Sequence, residues 1–420
     1  MPRSVEAFRT SVRRTTSYVI ARRAWTPIAA ALGARREPAS RVVSLTPDGP
    51  AKGDALVSYR LESFLSPPDD AGLRSHTAFW RSAQIARTFL DLGYRVDVIS
   101  PRNTGFVPRK PYSIVLDTRR ILEQIVPALD EACVKIVWLD LAQTLFHNAA
   151  EARRLLALQV RRGITLPPAR FTAPSRAIEI ADVGMTSGND FTIGTFRYAG
   201  KPIYRLPIIC QPSPWPDDKD HAACRRRFLW FGSQGFLHKG LDLVLEAFAG
   251  LPDHHLTVAG PLHEEQDFVR AFHRELFETP NIETVGWVDM ESERFRSIAR
   301  RCVAVLHPSC SEAGSTSTMH CMHSGMVPVV SHEAAVDVDD FGVIVKGERV
   351  EDVRDAVLRI SAMPPTELEQ RSREAWTSAR SYHTVQSFVV EYRKAIESIL
   401  DWAASGRRGP APGLLPGQAA

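Results

Sequence analysis

The chain has 420 residues, 44% hydrophobic and 24% charged, with a formal net charge of +4. Such a chain is globular and long enough for two domains of ordinary size. The charge is too small to argue for a nucleic-acid partner, and the absence of an apolar run of about 18 residues argues against a membrane span.

Residues 1–52 read as a basic extension. Within 1–41, Arg3, Arg9, Arg13, Arg14, Arg22, Arg23, Arg35, Arg36 and Arg41 are opposed only by Glu6 and Glu37. Val5, Phe8, Val12 and Val19 recur between them at roughly helical spacing, which suits a basic helix lying on anionic lipid. A disordered arm or a processed leader is the alternative, because Pro27 breaks the pattern. Arg22 and Arg23 interrupt the best apolar core for a secretory signal.

Strands are expected at Ala55–Leu61, Tyr94–Ser100, Ser113–Asp117, Val134–Leu139, Val183–Ser187 and Pro202–Pro207, with helical segments between them. One such segment presents Phe79, Ala83, Ala86 and Leu90 on a single face. This alternation predicts a parallel, doubly wound first domain over 53–211. The Pro-rich piece Pro212–Asp220 marks a linker, taken as 212–224. Over 225–384 the alternation returns, with strands at Phe228–Gly232, Leu256–Ala259, Ile282–Gly286, Val303–His307, Val327–Ser331 and Gly342–Val345. A last helix over 385–402 carries Phe388, Tyr392 and Ile399, and 403–420 reads as a disordered tail. Cys133, Cys210, Cys224, Cys302, Cys310 and Cys321 show no metal-ligand spacing, and most lie in or beside apolar segments, as reduced thiols would.

Two strand-to-helix junctions carry the chemistry. In the first, Phe228–Gly232 and Ser233 run into the loop Gln234–Gly240, which contains His238 and Lys239. The helix that follows shows Leu241, Val244, Leu245 and Phe248 on one face. In the second, Val303–Ser309 runs through Cys310-Ser311-Glu312-Ala313-Gly314-Ser315 into a helix ending at Gly325, before the strand Val327–Ser331. Small residues and a carboxylate at such a junction set free backbone N–H groups against an anion. Both junctions fall at the carboxyl ends of parallel strands, where open α/β sheets bind ligands.

The segments FGSQGFLHKGLDLVLEAF and HPSCSEAGS…MHSGMVPVVS resemble the retaining, metal-independent nucleotide-sugar glycosyltransferases of family four (glycosyl transferases group 1), in a branch linked to polysaccharide biosynthesis. The resemblance implies an α/β GT-B fold, with two Rossmann-like domains facing across a cleft and the last helix returning to the first domain. It implies a UDP- or GDP-sugar as donor substrate, no metal or other cofactor, and a saccharide or lipid-linked acceptor. Apart from the resemblance, the reduced thiols suit a cytoplasmic protein, and the basic N-terminus suits a peripheral place at the inner face of a membrane.

By resemblance the donor-binding residues are Gly232, Ser233, His238, Lys239, Pro261, Glu312, Ala313, Gly314, Ser315, Thr316 and His320. Lys239, Glu312 and Asp140 are the catalytic candidates. Lys239 would neutralise the donor diphosphate with a point charge. Glu312 would accept hydrogen bonds from the donor sugar, and the amides of Ala313, Gly314 and Ser315 would face sugar and β-phosphate. The chain departs from the family where Ser233 stands in place of the usual Arg. The second Glu of the Glu–seven residues–Glu pattern is also missing: counting from Glu312 reaches His320, and counting back from Pro328 reaches Cys321. The first turn, Ser58-Tyr59-Arg60-Leu61-Glu62, lacks the family's Gly pair. The strand end Trp138-Leu139-Asp140-Leu141 lacks its His, so Asp140, His76 and His147 are the alternatives there. Asp337-Val338-Asp339 superficially matches a metal-binding pair but reads as a loop edging the donor pocket, with Ser331, His332 and Glu333. These departures leave a rival reading, a scaffold with weakened catalysis that binds a nucleotide sugar or an assembly partner. Phosphorylase-like or epimerase chemistry is a third reading.

Overall fold

The computed structural model describes residues 40–65, 77–407 and 411–413. The basic segment 1–39, His76 and most of the expected tail lie outside the described residues.

The first domain is a seven-stranded sheet of β1 (Val42–Leu45), β2 (Gly53–Ser58), β3 (Tyr94–Ile99), β4 (Ile114–Asp117), β5 (Val134–Trp138), β6 (Val183–Thr186) and β7 (Ile203–Arg205). Its order is β1-β3-β2-β4-β5-β6-β7, and every pairing but one is parallel. The parallel strands are short apolar runs, such as Ala55-Leu56-Val57 with no exposed surface, because helices cover both faces of the sheet. The exception is β1, which pairs antiparallel with β3. It falls inside the segment expected to be an extension: Val-Val-Ser-Leu is too short, and too weakly buried as an edge strand, to stand out in the sequence.

The second domain is an all-parallel sheet of β8 (Arg227–Phe231), β9 (His255–Ala259), β10 (Ile282–Gly286), β11 (Ala304–His307), β12 (Val327–Ser331) and β13 (Val343–Val345). The order β10-β9-β8-β11-β12-β13 reverses between β8 and β11. Two doubly wound parallel sheets are the architecture expected from the alternation.

Three elements tie the domains together. The helix Val385–Ala404 buries Phe388, Tyr392, Ile396 and Ile399 in the core of the first sheet, with Phe388 6.3 Å from the Trp138 ring. The helix Thr144–Arg162 starts on a Gln143 side-chain cap and stops at Gly163, whose φ of 67° is left-handed. Its second half leaves the first domain: Leu158 joins the core of the second, and Arg154 Nη2 donates to Pro308 O at 2.6 Å. Arg161 pairs with Asp242 and Glu246, and Arg162 with Glu275. Finally, the linker is pinned rather than free. Trp215 packs edge-on against Trp376, and Lys219 Nζ donates to Gly325 O at 2.6 Å. Among the described residues no helix is long and apolar enough to cross a membrane.

Candidate active site

The site forms where the second sheet reverses. From β8 the chain winds toward β9 and from β11 toward β12, so the carboxyl ends of these neighbours are left open side by side. Lys239 follows β8 and Glu312 follows β11, and Lys239 Nζ lies 2.5 Å from Glu312 Oε1. Close approach of the two loops depends on Gly240, which has a φ of 73°. Any Cβ there would lie 2.5 Å from Pro308 O. Trp230 Nε1 donates to Lys239 O at 3.3 Å, fixing the backbone beneath the lysine.

Glu312 is held on several sides. Its amide donates to Glu333 O at 2.9 Å, its carbonyl accepts from Thr192 Oγ1 of the first domain at 3.1 Å, and Ser309 Oγ reaches Oε1 at 3.3 Å. Burial opposes its charge, but the Lys239 ammonium, with help from Arg170, holds the carboxyl well below the usual carboxylate range. The His307 ring is wholly buried. Burial pushes its pKa down, and its Nε2 stops 3.7 Å from Glu312 Oε1, beyond hydrogen-bond reach.

The other expected donor-site residues divide. Gly232 ends β8 against Trp230 and the Lys239 stem, Pro261 is buried just past β9, and Ser233 is exposed between them. The amides of Ala313, Gly314 and Ser315 donate to no group among the described residues. Ser315 Oγ caps the helix Thr316–His323 by accepting from Thr318 N, so its hydroxyl is engaged while its amide is free. Gly314, at φ 91°, abuts the first domain: a Cβ would lie 2.7 Å from Ser187 O.

His238, expected among the donor-binding residues, turns into the core. It is fully buried, with Nε2 2.6 Å from Ser311 O and its ring 4.6 Å from that of His147, and burial pushes its pKa down to about 3. It is a neutral strut. The two positions counted for the missing second Glu differ in burial. Cys321 lies in the core with Leu229 and Val305, whereas His320 keeps some exposure, its pKa pushed by burial to about 4. Asp140 is salt-bridged through Oδ1 to Arg119 Nε at 2.6 Å, and Arg119 has the left-handed φ of 57°. Asp337 fastens the domains together by accepting from Asn189 Nδ2 at 2.9 Å and pairing with Arg205. Among the described residues no cluster of His, Cys, Asp and Glu could hold a metal ion.

Apart from His147, named above as an alternative for the missing family histidine, several residues of the site were not legible as such. The Gly235 and Phe236 amides, which the loop sequence offers to an anion, donate to the Glu265 carboxylate. His147 Nε2 lies 3.0 Å from Arg170 O, so that nitrogen carries the proton and Nδ1 accepts from Ser311 Oγ at 3.1 Å. His147 and Arg154 thus brace the Glu312 loop from the first domain. The sequence signal for Arg154 is its place with His147, Glu151 and Leu158 at i+7, i, i+4 and i+11, a largely polar helix face that turns out to be buried.

Residues 225–362 match the family model of the glycosyl transferases group 1. No curated protein matches the chain. Among solved structures, it is similar to the sucrose-phosphate synthase of Thermosynechococcus elongatus, with TM-score 0.57, 11% identity, and coverage of 83% of this chain and 98% of that one. It is also similar to an alpha,alpha-trehalose-phosphate synthase (UDP-forming) of Burkholderia vietnamiensis, with TM-score 0.52, 12% identity, and coverage of 86% and 99%. Against a TarM structure from S. aureus, 67% of this chain superposes at TM-score 0.49 and 9% identity and spans 54% of the length of that chain. At these identities the likeness speaks for the fold alone. The protein is a two-domain, Rossmann-like GT-B protein whose second domain carries the glycosyl transferase group 1 pattern.

Proposed function

We propose that this protein transfers a glycosyl group from a nucleotide-activated sugar to a hydroxyl of a saccharide or lipid-linked acceptor, with retention of configuration and without a metal ion. The observation that carries the reading is the meeting of Lys239 and Glu312, from two separate strand ends, at the reversal of the sheet that matches the family model. Lys239 and the free amides of Ala313, Gly314 and Ser315 supply positive potential where charge develops on a leaving diphosphate. Glu312, charged and held by its neighbours, accepts hydrogen bonds from the sugar. The similar Burkholderia synthase is described as UDP-forming, which makes UDP-sugars the first donors to try. A lipid-linked acceptor would place the basic N-terminal segment against an anionic membrane surface at the cytoplasmic face.

A rival reading, a binding scaffold with weakened turnover, is favoured by two observations. Glu265 already occupies the amides of Gly235 and Phe236, and Asp140 is tied up by Arg119. The test is release of nucleoside diphosphate from a panel of UDP- and GDP-sugars, with the anomeric configuration of the product read by NMR. Turnover that Glu312→Gln abolishes supports transfer. Tight diphosphate binding without release from any donor supports the scaffold, and neither binding nor release refutes both readings.

A further inference from the structure

Arg170 lies in the first domain, on the segment after the helix Thr144–Arg162, yet its side chain belongs to the donor loop of the second. Its backbone is clamped on both sides by that helix. The Arg170 amide donates to Glu151 Oε1 and Oε2, each at 3.0 Å, and its carbonyl accepts from His147 Nε2 at 3.0 Å. Two residues on, Asn148 exchanges a pair of hydrogen bonds with the Thr172 backbone, so the whole turn is held to one helix face. From this clamp the aliphatic stem runs across Gly235, where a Cβ would lie 2.7 Å from Arg170 Cγ and 2.9 Å from Cδ. Only a glycine leaves room for the stem to cross the loop between β8 and Lys239.

The guanidinium at the end of that stem has no hydrogen-bond or ion-pair partner among the described residues, although its charge is felt by Glu312, Glu265 and His147. The three nearby acids have other partners: Glu151 and Glu265 accept backbone amides, and Glu312 accepts from Lys239. Of the other cations, Lys239 meets Glu312 through Nζ, and Arg154 is buried, with Nη2 on Pro308 O and its Nε and Nη1 sealed away from the site. Arg170 differs from both in being only half-buried, with its whole guanidinium unengaged among the described residues. A planar guanidinium with its fork of N–H groups suits phosphate oxygens.

Resting on the donor reading above, we propose that Arg170 is a diphosphate-binding residue of the donor site. The diphosphate is then held across the domain boundary, by Lys239 from the second domain and Arg170 from the first. Calorimetry of the full chain with UDP, GDP, uridine and guanosine tests this. Arg170→Met keeps an apolar stem on Gly235 and removes the charge, and should weaken binding of the preferred diphosphate by about ten- to a hundredfold. Its nucleoside should bind unchanged, and Arg170→Lys should recover much of the loss. Unaltered diphosphate affinity in Arg170→Met, or equal loss for nucleoside and diphosphate, overturns the assignment while leaving the donor reading intact. If the unaltered protein binds neither diphosphate, the donor reading falls and the role of Arg170 falls with it.

Discussion

Replacing Lys239 by Ala separates the electrostatics of the Lys239–Glu312 pair from the packing around it. At 2.5 Å, with both side chains mostly buried, the pair attracts by about 7 kcal/mol at an effective dielectric of about 20. Several kcal/mol of that is offset by desolvating the lysine, a cost that disappears with it, so the net destabilisation should be about 3 kcal/mol, the lower end for an unpaired buried charge. The pH dependence identifies the cause. In the unaltered protein the Glu312 carboxyl is depressed, so its stabilisation is full above the unfolded value near 4.5 and is lost as pH falls through the folded value. In Lys239→Ala burial dominates and raises that carboxyl, giving a penalty at neutral pH that is relieved as pH falls through the raised value. The gap between the two proteins should therefore shrink between pH 7 and 4. Urea unfolding of both across that range measures it. A pH-independent gap would trace the loss to packing rather than to the Glu312 charge, and one below about 0.5 kcal/mol at pH 7 would refute the strength assigned to the pair.

Two further outcomes follow from the geometry. Gly314→Ala places a methyl group 2.7 Å from Ser187 O at a φ of 91°, so it should lower stability by about 2–4 kcal/mol and widen the cleft. Small-angle scattering and thermal melting would detect both, and an unchanged melting temperature would refute the contact. His238 and His383 have pKa values pushed by burial from 6.5 to about 3 and about 4. Below pH 6.5 the unfolded chain takes up protons that the fold refuses, so each should cost about 1.4 kcal/mol per pH unit down to its folded value. His238→Asn should reduce the acid slope measured by chemical unfolding between pH 6 and 4, and an identical slope would exclude His238 as a contributor.

The sequence by itself determined the alternation of strands and helices, the two parallel sheets, and the two junctions that carry Lys239 and Glu312. Those features are local: apolar runs of strand length, amphipathic spacing, and glycines such as Gly240 and Gly314 that allow backbone to approach backbone. Burial of one particular face is not local, and there the sequence misleads. On the helix Thr144–Arg162 the apolar residues Leu145, Leu156 and Val160 are 62%, 60% and 91% exposed, whereas His147, Glu151 and Arg154 are each 1% exposed. The edge strand β1 pairs with a partner some 50 residues away and had no pattern of its own to announce it. His238 sits beside Lys239 in the chain, yet only the tertiary structure turns one into the core and the other onto Glu312. The loop after β8 offers its amides to an anion, and it takes the distant Glu265 to fill them and the distant Arg170 to cross them. What the fold alone decided were contacts between segments far apart in the chain, because desolvation and pairing depend on which surface another domain covers.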